Sequence, residues 1–327
     1  MEVDGRLGDV LSCLDDLEDV LWKPYHEDGA GRPPRSPLGI LKALTVKRVR
    51  QIPSDRELYR RLWSDPELRR LCDIEEYEKP YHPSQLTRFR QRVGTERLGE
   101  IMETVVGKLR DAGVVKGEIV ACDATFIKAY SKRDPEDDSR GYSDSEARVG
   151  RAVKTHQLGY KLHLAVDAAS ELPLAAMAAP ATENEKKHAL KLLEKAVKIS
   201  NRQVKIFVAD SQYSSQKLRK NISAHGIEPI IPYPANQKPR EEEFLRVDKR
   251  FRAHGPERLR TLYAHKASAE RTISRLKQHL SLENHRVRGL KNILIHALLC
   301  VITMLLTALT AIKLGKPEQI RAITKLA

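Results

Sequence analysis

Two acidic residues interrupt apolar runs in the middle of the chain. Asp123 lies within the strand-like sequence IVACDATFI, and Asp210 ends the run KIFVAD. A carboxylate is costly to bury unless it binds a metal or a partner, and open α/β sheets place their ligands at the carboxyl ends of strands. A strand-terminal Asp also often caps the following turn. Each residue taken alone therefore has a structural explanation as well.

A third carboxylate, Glu270, falls in a segment with helical periodicity. At about 100° per residue, Tyr263, Lys266, Glu270 and Lys277 share one stripe about 60° wide. The stripe places an acid between two bases. An adjoining apolar stripe predicts that the helix docks on a sheet and presents Glu270 toward the strand ends; it consists of Ile273, Leu276 and Leu280.

Three such carboxylates have the chemistry of a divalent-metal phosphoryl-transfer site. Oxygen ligands hold Mg²⁺ or Mn²⁺, and two ions about 4 Å apart activate the attacking oxygen and stabilise the leaving oxygen. The sequence therefore predicts two metal ions bound by Asp123, Asp210 and Glu270. Lysines beside the acids would hold a phosphodiester backbone.

Strands and helices alternate through the region that carries the two aspartates. This pattern predicts an α/β fold with a mixed sheet. The expected strands cover 119–127, 160–166, 172–178, 205–209 and 228–233, and the expected helices cover 185–199 and 214–224. The stretch 131–151 has almost no aliphatic residues, so we expect a mobile excursion from the first strand.

The first third of the chain is predicted to be all-α. Helices are expected over 38–49, from a capping box at Ser54 and Glu57 to residue 63, from a cap at Ser84, and over 98–109. In the third of these helices Arg88 and Arg90 lie away from the apolar face. That arrangement suits a helix that faces DNA, although a solvated basic face is the commoner explanation.

The charge balance points to a polyanionic partner. The 327 residues include 58 Lys and Arg against 44 Asp and Glu, for a net charge of +14.

The four cysteines are too far apart for a CxxC ligand pair, which argues for a reduced cytoplasm and against structural zinc. The acidic N-terminus does not have the pattern of a signal peptide.

The segment 293–312 is apolar and just long enough to span a bilayer. A weak polar stripe and basic residues at both ends favour a buried core helix instead, and we expect no membrane association.

Two further polar residues have simpler interpretations. Asp167 precedes AASELP and is expected to hold a hairpin turn. His163 alternates with leucines, which indicates a strand histidine whose ring nitrogens are satisfied.

Several of these segments resemble the DDE-type transposases of insertion sequences. One branch of that family has the signature Tyr, two residues, Arg, three residues, Glu, six residues, Lys, which reads here as Tyr263, Lys266, Glu270 and Lys277, with Lys in place of Arg. The phrases CDAT, GYKLHLAVD and VADSQY also resemble that branch's strand motifs. Upstream, PPRSPLGILKALTVKRV and HPSQLTRFRQRVG resemble the helical domain that precedes the catalytic core.

The resemblance implies a ribonuclease H-like catalytic core over 116–315, preceded by a helical DNA-binding or assembly domain over 1–115 and followed by a tail over 316–327. It implies the catalytic and metal-binding triad Asp123, Asp210 and Glu270. The residues expected to contact DNA are Tyr263, Lys266, Lys277, Arg88, Arg90 and Arg275.

The function implied is metal-dependent cleavage at the element's ends and transfer of the freed 3′ hydroxyls into target DNA. The partners would be the element's terminal inverted repeats and target DNA, bound by a dimer in a prokaryotic cytoplasm, close to the nucleoid. Two alternatives stay open: a non-catalytic DNA-binding protein derived from a transposase, and a metal-dependent nuclease without strand transfer.

Overall fold

The computed structural model describes residues 2–22, 35–133, 141–152, 155–237, 239, 243–248, 250 and 252–326. The chain forms two compact units. One contains Met1–Lys108 together with Arg275–Ala327, and the other contains Leu109–Ser274.

The first unit begins with a series of helices, as the sequence predicts. Ser36 caps the third helix by accepting a hydrogen bond from the Gly39 amide, and the capping box places the Ser54 hydroxyl 3.1 Å from the Glu57 amide. The helices are α1 (Glu2–Ser12), α2 (Glu18–Trp22), α3 (Pro37–Val49), α4 (Asp55–Ser64), α5 (Pro66–Leu71) and α6 (Pro83–Asp111).

The helix α6 merges two helices that the sequence analysis predicted separately. They meet at a kink at Gly94, where φ is 63° and ψ is −170°, a region of backbone space that is open almost exclusively to glycine. Ser84 was expected to be the cap, but α6 already begins at Pro83, because proline suits the first turn of a helix.

A mixed sheet forms the centre of the second unit. Its strands are β1 (Ile119–Lys128), β2 (Arg148–Arg151), β3 (His156–Asp167), β4 (Leu172–Pro180), β5 (Ile206–Ala209) and β6 (Glu228–Ile230). β3 pairs antiparallel with β1, β2 and β4, whereas β5 is parallel to both β1 and β6. The predicted mixed sheet is therefore present.

The expected excursion over 131–151 is wrong at its end, because 148–151 form β2. This short polar strand hydrogen-bonds to the beginning of β3, and backbone pairing needs no aliphatic side chains. The middle of the predicted excursion, 134–140, lies outside the described residues.

Helices flank the sheet within the second unit. They are α7 (Lys186–Ile199) and α8 (Gln216–Ala224), and a small ribbon of β7 (Arg246–Val247) and β8 (Ala253–His254) precedes α9 (Glu257–Ala264) and α10 (Lys266–His279). Asp167 holds the turn between β3 and β4, as expected, because its carboxylate accepts hydrogen bonds from the Gly117 and Ser170 amides.

The remaining helices, α11 (Leu290–Lys313) and α12 (Ile323–Leu326), belong to the first unit. α11 packs against α1 and α3, and 18 of its 24 residues are buried. It is the one described helix long and apolar enough to cross a membrane, but 89% of its most apolar window is buried inside the protein. It is therefore a core helix, and the first unit includes residues that the sequence analysis placed in the catalytic domain.

Candidate active site

Strand register brings the two aspartates side by side. In the parallel pair of β1 and β5, Cys122 lies opposite Ala209. Asp123 follows Cys122 in β1, Asp210 comes directly after the end of β5, and neighbouring strands lie about 4.8 Å apart. The Ala124 amide donates to the Asp123 carboxylate at 2.9 Å, which fixes one of its oxygens.

Asp210 caps the turn that follows it, which is one of the two roles that the sequence suggested, and it also lies beside Asp123. Its side chain accepts a hydrogen bond from the Gln212 amide at 2.9 Å and so begins a short 3₁₀ turn over Ser211–Tyr213. Burial raises the pKa of Asp210, and the nearby carboxylate of Glu185 adds to the rise. The cap orients the carboxylate without neutralising it.

Glu270 reaches the site from α10, which is anchored by its neighbours on that helix. Arg271 donates to the Glu171 carboxylate at 2.8 Å, and the Thr272 hydroxyl donates to the Glu171 carbonyl at 2.8 Å. Ala269 is fully buried, whereas the Glu270 side chain is 55% exposed. The helix is therefore fixed to the β3–β4 turn, while the Glu270 carboxylate is accessible to solvent.

The charge of Asp123 depends on its neighbours. Burial raises the pKa of Asp123 to about 7, with further contributions from Asp210 and Glu270, and Lys266 opposes this rise. Burial also raises the pKa of Tyr263 to about 12, and all three acids add to that shift. Tyr263 therefore lies near the same centre.

Lys266 supplies positive charge to this centre. Its ammonium group is hydrogen-bonded to Glu270, and its side chain is 16% exposed. Burial disfavours the charged amine, but Asp123, Glu270 and Asp210 outweigh burial and raise the pKa of Lys266. The acids thus share one ammonium group as their counter-ion.

The donor set suits a hard divalent cation. Three carboxylates offer oxygen ligands of the kind that Mg²⁺ and Mn²⁺ prefer, and Asp210 and Glu270 add to the rise that burial causes in the pKa of Asp123. Among the described residues, no three His, Cys, Asp or Glu side chains are close enough to ligate one ion. A metal would therefore require the exposed Glu270 side chain to turn toward the aspartates.

The other basic residues predicted to bind DNA have different environments. Arg88 is exposed, whereas Arg90 is ion-paired with Asp55. Lys277 lies 2.6 Å from the Glu283 carboxylate, and Arg275 is half-buried. Their contacts with DNA stay a prediction.

Sequence reasoning missed two acidic residues that support the site. Glu185 is 8% exposed, pairs with Lys161 at 2.9 Å and raises the pKa of Asp210. Glu171 anchors α10. Glu185 is followed by two lysines and a histidine at the start of α7, so the sequence pattern does not single it out, and nothing in the pattern of a turn marks Glu171.

His163 lies in β3, as expected, but its ring nitrogens are not satisfied. Neither nitrogen has a hydrogen-bond partner among the described residues. Its ring lies 4.7 Å from that of His188, centroid to centroid, and burial lowers its pKa to about 3. The expectation was wrong because the neighbouring group is the ring of His188, whose Nε2 is hydrogen-bonded to Glu183 and not to His163.

Family models match most of the chain. Residues 115–306 match the model described as "Transposase DDE domain", and residues 5–92 match a model described as "Transposase domain (DUF772)". The chain belongs to the transposase DDE domain family. The resemblance seen in the sequence motifs is confirmed at this level, as is the fold class of an α/β core preceded by helices. DDE transposases generally use divalent metal ions.

Two solved structures of transposases are similar to the chain. One is the "Cryo-EM structure of piggyBac transposase synaptic complex with hairpin DNA", with a TM-score of 0.43 and 10% identity, covering 100% of this chain and 77% of that chain. The other is the "Mos1 transposase paired-end complex with left transposon end", with a TM-score of 0.23 and 15% identity, covering 62% of this chain and 61% of that chain. No curated protein matches the chain.

Proposed function

We propose that this transposase cleaves DNA at the ends of its own element and joins the freed 3′ hydroxyls to target DNA. Asp123, Asp210 and Glu270 are the proposed catalytic carboxylates. The observation that carries the proposal is the convergence of three acids from two strands and a helix on one counter-ion, Lys266, with the pKa of Asp123 raised to about 7. Such perturbed carboxylates are typical of active sites.

The three carboxylates would hold Mg²⁺ or Mn²⁺, with two ions as the expected number. The ions would supply Lewis-acid activation of the attacking oxygen and stabilise the charge on the leaving oxygen. The Ala124 and Gln212 amides keep the aspartates oriented. Lys266 is placed to move from Glu270 to a phosphate oxygen when the carboxylates take up metal.

The reaction consists of two phosphoryl transfers. In the first, water attacks a phosphodiester at the element's end and the 3′ oxygen leaves as a hydroxyl. In the second, this hydroxyl attacks a phosphorus atom of the target DNA. A new P–O bond joins it to the target's 5′ phosphate, and the target's 3′ oxygen leaves as a hydroxyl. Tyr263, Lys266, Lys277 and Arg275 are proposed to contact the DNA near the cleaved bond, and Arg88 and Arg90 to contact it from the helical region.

Several broader features belong to the same proposal. Residues 1–115 would act in DNA binding or assembly, residues 116–315 in catalysis, and 316–327 would form a tail. The partners are the terminal inverted repeats and target DNA, and the active form is a dimer on DNA in the cytoplasm. The net charge of +14 supports a polyanionic partner.

The test is a cleavage and joining assay on DNA that contains the element's end. Asp123→Asn, Asp210→Asn and Glu270→Gln should each lower cleavage and joining by at least about 100-fold, and EDTA should do the same to the wild type. Glu257→Gln changes an exposed acid on α9 and is the matched control. Cutting by Glu270→Gln at the wild-type rate would refute the proposed triad.

The same assay separates the alternatives. Cleavage without joined products would indicate a nuclease, and binding of end DNA without either reaction would indicate a non-catalytic protein.

A further inference from the structure

A cavity rich in basic side chains lies within the first unit, built entirely from residues of that unit. Its volume is about 440 Å³. We call it the basic cavity. Five cationic side chains line it, and Asp55 is the one acidic residue among the described lining residues; the cations are Lys47, Arg48, Arg56, Arg90 and Arg286.

The single acid is already shared by two of these cations. The Asp55 carboxylate lies 2.6 Å from the Lys47 ammonium and is also ion-paired with Arg90. Although burial opposes the shift, Arg90 and then Lys47 lower the pKa of Asp55 to about 2. Asp55 therefore stays ionised and offsets one charge, which leaves the cavity with a surplus of positive charge.

Arg48 is the one buried residue among the five cations that line the cavity. It is 5% exposed, and its Nη1 donates to the Leu44 carbonyl at 2.7 Å. Its Nε has no hydrogen-bond partner in the described part of the chain. A buried guanidinium without a carboxylate is costly, and an anion bound in the cavity would offset that cost.

The rest of the lining fits a ligand that is larger than a bare phosphate. The amides of Gln91, Asn284 and Asn292 can donate and accept hydrogen bonds. The first turn of α4, a helix of ten residues, also borders the cavity, and helix N-termini favour phosphate. Arg56 and Arg286 are exposed at the rim, where a polymer backbone could reach them.

We propose that the basic cavity binds a phosphate of a DNA backbone together with its adjoining sugar. The identity of the ligand as DNA rests on the proposed function. The phosphate lies against Arg48 within the cavity, Arg56 and Arg286 hold it from the rim, and the amides contact the sugar. The helical unit thereby has a defined contact with DNA that is separate from the three carboxylates.

The first test measures the affinity of the full-length protein for duplex DNA as a function of salt. In the double variant Arg56→Gln/Arg286→Gln, we expect affinity near 100 mM salt to fall about tenfold or more. The slope of log affinity against log salt should fall by about 1, since the two arginines hold one phosphate and the loss of one phosphate contact removes about 0.9. Arg60→Gln/Arg70→Gln is the matched control, because these arginines are well exposed in the same unit. Equal losses in the two double variants would overturn the proposal.

The second test uses inorganic pyrophosphate and thermal unfolding. Pyrophosphate should raise the Tm of the wild type and of the control, but not that of Arg48→Met or of the rim variant. If Arg48→Met fails to fold, the rim variant still decides the outcome. Protection by pyrophosphate combined with unchanged DNA affinity in the rim variant would show that the cavity takes free phosphate, and would overturn its assignment to DNA.

The failures of the two proposals are distinguishable. If the wild type cleaves end DNA in a metal-dependent manner while the rim variant binds DNA like the control, the cavity inference fails and the proposed function stands. If the wild type shows no salt-dependent affinity for DNA, the proposed function fails.

Discussion

Lys266 offsets part of the negative charge of the three carboxylates, and a divalent cation would offset more of it. Burial raises the pKa of Asp123 to about 7 although the Lys266 ammonium group opposes the rise, so this carboxyl is half protonated near neutral pH. Because each pKa unit corresponds to about 1.4 kcal/mol, ionising Asp123 costs free energy in the folded protein. The sequence predicted which acids and which lysine belong to the site. It could not predict that the three acids share Lys266 as a counter-ion, because that depends on side-chain orientation.

The raised pKa of Asp123 should make the free energy of unfolding depend on pH. The Asp123 pKa is about 7 in the folded chain and about 3.9 in the unfolded chain. The folded chain therefore keeps a proton that the unfolded chain releases, and in EDTA stability falls as pH rises from about 4 to 7. Asp123→Asn lacks this effect, so relative to the wild type it should gain about 2 to 4 kcal/mol in free energy of unfolding between pH 4.5 and 8. Thermal melts at both pH values, with Glu257→Gln as the control, would show it; a constant difference would contradict the raised pKa.

Removing the shared counter-ion should make the protein depend more strongly on metal. Lys266→Met leaves the acids without the nearby ammonium group, so in EDTA at pH 8 its Tm should fall by a few degrees, since about 1 kcal/mol corresponds to a shift of a few degrees. Mn²⁺ should then raise the Tm of this variant more than that of the wild type. Lys266→Arg keeps the charge and is the control. Identical Mn²⁺ responses in the wild type and Lys266→Met would argue against a shared counter-ion role.

At the scale of elements, the two strands that carry the aspartates were the predictable part of the site. The run that contains Asp123 and the run that ends at Asp210 predicted two strands, and their parallel pairing puts the two acids side by side. The position of Glu270 depends on long-range bonds from α10 to Glu171, which helical periodicity cannot reveal. The ion pair of Arg90 with Asp55 was hidden for the same reason, because the periodicity shows a basic face but not what lies opposite it.

The kink in α6 offers a test of local backbone geometry. A Cβ at Gly94 or at Gly99 would meet nothing within 4 Å, but only Gly94 of the two has a positive φ. Gly94→Ala should therefore destabilise the protein by about 1 to 3 kcal/mol, and Gly99→Ala should stabilise it by up to about 1 kcal/mol. Urea unfolding followed by circular dichroism gives both values. Equal effects would mean that α6 straightens readily at Gly94.

At the scale of the whole molecule, the first unit is built from two separate segments of the chain, one at each end of the sequence. The sequence predicted one helical region at the N-terminus and a catalytic region continuing to residue 315, because composition changes near Gly113 and no composition change marks residue 275. The structure joins residues 275–327 to the first unit instead. The physical reason is burial: α3 has 11 of its 13 residues buried, and α1 and α3 both pack against the apolar helix α11.

This arrangement decides which fragments can fold. Residues 1–115 expressed alone would expose the faces of α1 and α3 that α11 covers, and apolar burial is worth about 25 cal/mol per Å². We expect this fragment to aggregate or to unfold without cooperativity. A chain joining residues 1–108 by a flexible linker to 275–327 restores α11 and should unfold in one cooperative transition. The measurement is thermal unfolding followed by circular dichroism on both chains at equal concentration. A cooperative transition in the 1–115 fragment would show that the N-terminal helices fold without α11, and would support the separate domain predicted from the sequence.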